Sequence, residues 1–309
     1  MISRVTKILL ALQILAGIGL LFAIHAYGVT FLPALILSAI ALLLFRLVIT
    51  ANNFFWAWIY RSETPAEYRI SFSQGIKLFV NEFKATILTS SRSMPFWIFS
   101  KYTAKNASTL PVLLIHGYVC NSGQWQTLSQ RLSIEGITHH AIDLEPVLGD
   151  IDSYVPIIHQ AIDTLRNETG SDKIVIVAHS MGGLAARAYL KIHGSMHIAK
   201  VITLGTPHHG TALANFGKGK NSRQMRWSRN ANKGASSAWL QQLAKDECQS
   251  DYGLIVSIYS HHDNIIAPQT SSHLLGARNI AFHGIGHVAL LFDISIQDKV
   301  IEEIRKTSI

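Results

Sequence analysis

The N-terminal part of the chain is one long apolar run, and no charged residue interrupts it between Ile8 and Phe45. A single membrane-spanning helix needs about 20 residues, so a run of this length suits two spans. Gly28 and Pro33 fall near its middle, and the uncharged stretch "HAYGVT" between the halves is typical of a tight turn. The pattern therefore predicts a transmembrane helical hairpin within residues 1–61.

Basic residues at both ends of this run indicate its orientation. Arg4 and Lys7 precede it, Arg46 and Arg61 follow it, and the turn between the halves carries no charge. Because cytoplasmic flanks of membrane spans are enriched in Lys and Arg, both ends are expected in the cytoplasm. We expect an anchor in a bacterial inner (plasma) membrane, with the rest of the chain cytoplasmic. If only one span formed, the rest of the chain would face outward.

A cleaved signal peptide is the alternative interpretation of the same run. Such a peptide has a short apolar core and small residues before the cleavage point. The run is too long for this pattern, and it offers only Ile24, His25 and Ala26 as a cleavage motif. The aromatic stretch "NNFFWAWIYR", residues 52–61, is instead typical of a membrane–water boundary.

Residues 62–109 are predicted to connect the hairpin to the rest of the protein. Apolar residues recur there at helical spacing, at Phe72, Ile76, Phe79, Phe83 and Ile87. This spacing predicts one amphipathic helix. Its polar face is not rich in Lys and Arg, which favours packing on the main domain over the alternative of lying on the bilayer.

From residue 110 to residue 309, short apolar runs alternate with helical periodicity. Strands are predicted at "PVLLIHG", "THHAIDLE", "KIVIVAHS", "KVITLGTP", "YGLIVSIYS" and "RNIAFHGIG". Helices are predicted around residues 125–134, 151–165, 181–193 and 300–306. Such alternation is typical of an α/β fold with a mostly parallel central sheet.

Composition agrees with a membrane-associated protein. Only 15% of the 309 residues are charged, and the mean hydropathy is +0.24. The net charge of +8 suits either nucleic acid or an anionic lipid surface. The sequence contains no nucleic-acid motif, so we expect a membrane surface as partner and no nucleic acid. Cys120 and Cys248 have no zinc or redox spacing, and in a cytoplasm they are expected to remain reduced.

The stretch "KIVIVAHSMGGLAARAYL", residues 173–190, combines a buried strand, a sharp turn and a helix. A turn of this kind lifts a serine hydroxyl clear of the sheet and needs small residues around the serine. Ala178 and Gly182 flank Ser180 at two residues on either side, and Gly183 permits close packing of the helix on the sheet. Ser180 is therefore the candidate nucleophile. The alternative is a structural turn residue.

A serine nucleophile needs a base and a group that orients the base, which in this strand–turn–helix context follow in the order acid, then histidine. Asp263 follows one late strand, with Asp251 and Asp293 as rivals, and His287 follows the next strand, with His283 as its rival. The oxyanion that forms on the substrate needs preset N–H donors, which the backbones of Tyr118 and Met181 are placed to supply.

Five segments of the chain together resemble the α/β-hydrolase superfamily, and most of all bacterial triacylglycerol lipases and esterases: "PVLLIHGYVCNSGQW", "AHSMGGLAARAYL", "LGTPHHGT", "HHDNIIAP" and "GIGHVALL". The pair "HSMGG" and "GTPHHGT" also resembles inositol deacylases that act on glycolipid anchors. The resemblance implies a Ser180–Asp263–His287 triad, oxyanion donors at Tyr118 and Met181, an acyl-enzyme intermediate and no organic cofactor.

Other histidines and glycines near the motifs receive supporting roles. His116, Gly117 and His179 are expected to shape the substrate pocket and brace the oxyanion loop. The histidine doublets at residues 139–140, 208–209 and 261–262 are poor metal ligands, because adjacent side chains on a strand point to opposite faces. No metal site is predicted.

A basic insertion is predicted at about residues 211–250, between two core strands. No acidic residue occurs from Thr211 to Lys245. The basic residues there are Lys218, Lys220, Arg223, Arg226, Arg229, Lys233 and Lys245. We interpret the insertion as a lid that borders the acyl pocket and contacts anionic head groups, at about 1 kcal/mol per basic residue. A solvated basic loop is the alternative.

These observations predict a membrane-anchored serine hydrolase that cleaves carboxylic esters, with a lipid or another acyl ester as substrate. The same triad would also serve a thioesterase, an amidase or an acyltransferase. A membrane scaffold that keeps the fold without catalysis is the alternative from another class.

Overall fold

The computed structural model describes residues 1–97, 101–105, 108–229 and 234–307. Two apolar helices begin the chain and pack against each other as a hairpin. They are α1 (Ile2–Ala26) and α2 (Phe31–Ile59). Both are long and apolar enough to cross a membrane, with mean hydropathies of 2.3 and 2.5. Most of their large apolar side chains are exposed rather than packed into a protein core.

The predicted amphipathic helix is α3 (Phe72–Leu88), which begins with a capping box between Ser71 and Gln74. A π-helical segment (Thr89–Ser93) and the short helix α4 (Met94–Phe96) follow it. Part of the predicted apolar stripe faces the hairpin, since the Phe79 ring lies 5.5 Å from the Phe54 ring of α2, whereas Phe72 and Ile76 are exposed. A neighbouring stripe of α3, which includes Glu82, is buried against the α/β domain instead. The helix thus packs on both.

The central sheet has seven strands, namely β1 (Lys101–Tyr102), β2 (Val112–Ile115), β3 (His139–Ile142), β4 (Ile174–His179), β5 (Ile198–Leu204), β8 (Ile255–Ser260) and β9 (Arg278–Phe282). Their order in the sheet is β1-β3-β2-β4-β5-β8-β9, and all neighbours are parallel except β1 and β3. Two further strands, β6 (Trp227–Arg229) and β7 (Gly234–Ser236), form a separate β-hairpin. The prediction of an α/β fold with a mostly parallel sheet is confirmed.

The remaining helices cover the sheet and build the insertion. They are α5 (Gln126–Ile134), α6 (Val155–Thr169), α7 (Met181–His193), α8 (Lys220–Gln224), α9 (Ala238–Asp246) and α10 (Ile294–Arg305). Helix α10 begins at Ile294 rather than at Val300 as predicted. The Asp293 carboxylate caps it by accepting hydrogen bonds from the N–H groups of Ser295 and Ile296.

Both faces of the sheet are buried, as expected for parallel strands with helices on either side. Along β4, Ile174, Ile176 and Ala178 pack in the core that includes α6 and α7. Val175 and Val177 point the other way, into the core that includes α5 and α10. Because β4, β5, β8 and β9 are parallel, their carboxyl ends meet at one edge of the sheet. The chemical groups lie at that edge.

Candidate active site

Ser180 occupies a strained corner between β4 and α7. Its backbone has φ 54° and ψ −125°, a region that residues other than glycine rarely adopt. The turn needs a glycine at position 182, because a Cβ there would lie 2.5 Å from the carbonyl oxygen of Ile115. Thr206 Oγ1 donates a hydrogen bond of 2.9 Å to the Ser180 carbonyl oxygen and holds the corner. Strain of this kind is typically kept at functional residues.

Asp263 and His287 form a buried pair. His287 Nδ1 lies 2.8 Å from Asp263 Oδ2. The other carboxylate oxygen, Oδ1, accepts hydrogen bonds of 2.8 and 2.7 Å from the N–H groups of Ile265 and Ile266. Because a carboxylate only accepts, Nδ1 carries the imidazole proton and Nε2 is left as the basic nitrogen.

The structure brings this pair to the same place as Ser180. His179, the residue before Ser180, packs its ring 4.6 Å from the His287 ring. Its Nε2 donates a hydrogen bond of 3.2 Å to the His287 carbonyl oxygen. The Ser180 N–H donates to the Leu204 carbonyl, and a Cβ on the next residue, Gly205, would lie 3.1 Å from Asp263 Oδ2. The three predicted residues therefore converge at one edge of the sheet.

The rival residues lie elsewhere or serve structural roles. The His283 ring lies 6.1 Å from the Tyr68 ring. Asp251 accepts a hydrogen bond of 2.7 Å from the Ser195 hydroxyl. Asp293 caps α10. Among the described residues, only Asp263 of the three acids contacts His287.

The pKa of His287 is shifted in the opposite direction to the pKa values of the neighbouring histidines His179 and His116. Burial lowers the pKa of His287, but the charge and hydrogen bond of Asp263 and the charge of Glu82 outweigh burial and raise that pKa above its ordinary value. Burial, followed by repulsion from His287, holds the pKa of His179 well below its usual range. Burial also lowers the pKa of His116. Of these three histidines, His287 is therefore the one whose environment favours the protonated form.

Two backbone N–H groups are free at the positions predicted for oxyanion donors. Within the described part of the chain, neither the Tyr118 N–H nor the Met181 N–H donates a hydrogen bond. Met181 is the first residue of α7, where helical N–H groups lack an intrahelical acceptor. The Tyr118 hydroxyl, in contrast, donates a hydrogen bond of 2.7 Å to the Lys218 carbonyl and ties the loop to the basic insertion.

The three residues predicted to shape the pocket support it from behind. His116 Nε2 accepts a hydrogen bond of 2.8 Å from the Leu144 N–H, and its Nδ1 lies 2.8 Å from the Gly117 carbonyl oxygen. Gly117 permits close approach, because a Cβ there would lie 2.9 Å from the Ser180 Cβ. None of His116, Gly117 and His179 lines the cavity beside Ser180.

That cavity has a volume of about 290 Å³ and a largely apolar lining. Part of the basic insertion forms one side, through Leu213, Ala214, Phe216 and Met225. The loop after Asp263 contributes Ile265 and Ile266, and α2 contributes Asn52, Asn53 and Trp56. Five basic residues of the insertion are exposed and lack an ion-pair partner among the described residues, namely Lys218, Lys220, Arg223, Arg226 and Lys245. Lys233 lies outside the described residues, and the Arg229 side chain is not described.

Glu82 is the residue that sequence reasoning missed. Its side chain is buried, and its two oxygens accept hydrogen bonds from the N–H groups of Val288 (3.1 Å) and Ala289 (2.8 Å), the residues after His287. Burial raises the pKa of Glu82, while the hydrogen bonds from Ala289 and Val288 lower it. The signal was present, since Glu82 is the one acidic residue in the apolar periodic stretch of residues 72–88.

The arrangement can perform nucleophilic catalysis. It offers a hydroxyl at a strained corner, a buried imidazole–carboxylate pair and two free N–H groups, one in the loop after β2 and one at the first residue of α7. Among the residues that the structure describes, no group of three or more His, Cys, Asp or Glu side chains could hold a metal ion.

The chain matches one protein-family model and superposes on solved lipase structures. The model of the PGAP1-like alpha/beta domain family matches residues 106–295. Lipase BlEst2 of Bacillus licheniformis, in its mature form, superposes with a TM-score of 0.55 at 15% identity, covering 69% of this chain and 98% of its own. Aspergillus fumigatus lipase B gives 0.54 at 16% identity, covering 68% of this chain and 57% of its own.

Sequence comparison finds bacterial relatives over a shorter region. A triacylglycerol lipase of Pseudarthrobacter phenanthrenivorans is 26% identical over 122 residues, which is 36% of this chain and 37% of that protein. A triacylglycerol lipase of Burkholderia plantarii is 26% identical over 122 residues, 36% of this chain and 33% of its own. The chain therefore spans about a third of the length of these curated relatives.

Proposed function

The chain belongs to the family of PGAP1-like α/β domains and is a lipase/esterase-like α/β hydrolase, and from that premise we propose that it is a serine hydrolase of carboxylic esters. Ser180 is the nucleophile, His287 the base and Asp263 the residue that orients the base. The observation that carries the proposal is the buried Asp263–His287 pair, with Nδ1 and Oδ2 2.8 Å apart, packed beside a serine in a strained conformation.

In this proposal the reaction has two halves. His287 Nε2 takes the Ser180 proton as Oγ attacks the ester carbonyl carbon, and the N–H groups of Tyr118 and Met181 stabilise the oxyanion. The alcohol leaves with the proton from His287, and the acyl group remains on Ser180. Water then attacks the acyl-enzyme by the same proton route and releases the acid.

We further propose a lipid or other acyl ester as the substrate, and attachment to a membrane by α1 and α2. The apolar cavity beside Ser180, the two apolar helices and the exposed basic residues of the insertion support this. The names of the two bacterial relatives, both triacylglycerol lipases, support a lipid ester as well. The orientation proposed from the basic flanks is cytoplasmic, at a bacterial inner membrane.

The direct test is labelling of the full chain in detergent with a fluorophosphonate probe, followed by peptide mapping. We expect one labelled peptide, with the phosphonate on Ser180, and no labelling after heat denaturation. A folded protein that takes no label would favour a scaffold without catalysis, and label on another serine would contradict the assignment. Comparing p-nitrophenyl esters with thioester and amide substrates then separates esterase from thioesterase and amidase.

Turnover should depend on pH through the protonation of His287. The base works only as the neutral imidazole, so kcat/KM should fall tenfold per pH unit below the His287 pKa. Because Asp263 and Glu82 together raise that pKa, the acidic limb should have an apparent pKa above about 6.5, the value for a free histidine. A pH profile with a p-nitrophenyl ester measures it. A limb between about pH 4 and 5, where unperturbed carboxyl groups titrate, would contradict the assignment of His287.

Glu82→Gln should weaken the support of the loop that follows His287. An amide keeps the size of the side chain but has only one oxygen for the N–H groups of Val288 and Ala289. The loop after His287 is therefore held less firmly. We expect kcat to fall about tenfold, equivalent to ~1.4 kcal/mol. Because the Glu82 charge contributes to the raised pKa of His287, the acidic limb should also move to lower pH.

Glu67→Gln is the matched control, since it makes the same change at an exposed site just before α3. It should leave both kcat and the pH profile close to wild type. An unchanged pH profile in Glu82→Gln, with only a lower melting temperature, would show that Glu82 serves stability alone.

A further inference from the structure

The last turns of α2 form part of the wall of the cavity that contains Ser180. Asn53 and Trp56 line it together with Ser180. The Trp56 ring packs 4.7 Å from the ring of Phe216 in the basic insertion. The chain after α2 is also held, since the Ser62 N–H donates a hydrogen bond of 3.1 Å to Gln269 Oε1. An apolar helix of the N-terminal hairpin is therefore built into the candidate active site.

The length of α2 places this wall at the membrane boundary. Its 29 residues rise by about 44 Å, whereas the hydrocarbon core of a bilayer is about 30 Å thick. If the span begins near Phe31, roughly nine residues extend beyond the core at the other end. These residues include Trp56 and the exposed side chains of Phe55 and Trp58. The cavity thus adjoins the part of α2 that emerges from the bilayer.

The cavity is too small to enclose a long acyl chain. Its volume of about 290 Å³ is just below the range for small-molecule sites, about 300–1,000 Å³. A long chain on an ester at Ser180 must therefore extend out of the cavity. The Phe216 side chain is 57% exposed beside the Trp56 ring, so an apolar surface continues from the cavity toward α2.

The wall that α2 contributes to the cavity also carries polar side chains. The side-chain amides of Asn52 and Asn53 have no hydrogen-bond partner among the described residues, although both line the cavity. A side chain that lines a mostly apolar site and retains free donors and acceptors is suited to bind the polar part of a ligand. One wall thus offers an aromatic surface for a chain and amides for a head group.

We propose that the substrate is a lipid ester that enters from the bilayer along α2, with its acyl chain on the apolar surface that the adjoining Trp56 and Phe216 rings form and its polar part near Asn53. This inference rests on the proposed function, because it takes Ser180 as the reacting group. It adds that α2 belongs to the substrate-binding site and is more than a tether.

The test uses the full chain in lipid nanodiscs and two substrates, p-nitrophenyl palmitate dispersed in the bilayer and water-soluble p-nitrophenyl acetate. The measured quantity is the ratio of kcat/KM for palmitate to kcat/KM for acetate. In Trp56→Ala we expect this ratio to fall at least tenfold, mainly through KM for palmitate. Trp58→Ala is the matched control, because Trp58 is 60% exposed on the same helix and does not line the cavity. Its ratio should stay within twofold of wild type.

Phe216→Ala tests the second ring of this apolar surface and guards against a Trp56 variant that fails to fold. Its ratio should fall in the same direction. The inference is overturned if the ratio is unchanged in both cavity variants, or if it falls equally in Trp58→Ala. Labelling of wild type by fluorophosphonate separates the two hypotheses. An unlabelled wild type rejects the proposed function, whereas a labelled one with an unchanged ratio rejects only the entry route.

Discussion

Replacement of Ser180 by alanine is expected to lower kcat for p-nitrophenyl butyrate by about 10⁴- to 10⁶-fold, because the variant cannot form an acyl-enzyme. Alanine has the same Cβ as serine, so the strained backbone at φ 54° is neither relieved nor worsened. The melting temperature should therefore stay within a few degrees of wild type. Residual turnover would come from the oxyanion donors and the binding site alone.

The control for this variant is Ser195→Ala, which removes a hydroxyl that bonds to Asp251 away from the site. It should retain nearly all of the turnover. If Ser180→Ala kept more than about one hundredth of the wild-type kcat while folded, covalent catalysis by this serine would be excluded.

The second large effect is expected for Asp263→Asn. The amide oxygen would take the position of Oδ1, where the Ile265 and Ile266 N–H groups need an acceptor. The amide NH₂ would then face His287 Nδ1, which must become the acceptor, so the proton moves to Nε2. An imidazole protonated at Nε2 cannot accept the Ser180 proton. We expect kcat at pH 8 to fall about 10⁴-fold.

Asp251→Asn and Asp293→Asn are the controls for this variant, since sequence alone left both acids as rivals of Asp263. Asparagine is also a good N-cap, so Asp293→Asn should preserve the start of α10. Both variants should turn over at close to the wild-type rate. A loss in Asp251→Asn as large as that in Asp263→Asn would refute the choice of acid.

Local patterns predicted the elements of the site well. The β4 strand and α7 were predicted at the observed positions because a continuous apolar run and a helical period meet directly at Ser180. The start of α10 was missed because it depends on a side-chain cap at Asp293 rather than on periodicity. The strand β1 has two residues, too few for any alternation to be recognised.

Contacts between distant parts of the chain were beyond the sequence patterns. Glu82 meets Val288 and Ala289 across more than two hundred residues, and no periodicity links them. Trp56 was interpreted as part of an aromatic belt, and no pattern indicated that its ring also packs on Phe216 at the wall of the cavity. His116 follows β2 and His179 is the last residue of β4. At the carboxyl ends of strands, alternation no longer tells which side chains face a ligand.

The position of Glu82 bears on how this protein can be studied in solution. Expressing only residues 110–309 would discard α3 together with the hairpin. That fragment would leave the N–H groups of Val288 and Ala289 without the acceptor that Glu82 supplies. Inactivity of that truncation is therefore expected without Glu82 and would not argue against Ser180 as the nucleophile, so the full chain in detergent is the proper starting material for kinetics.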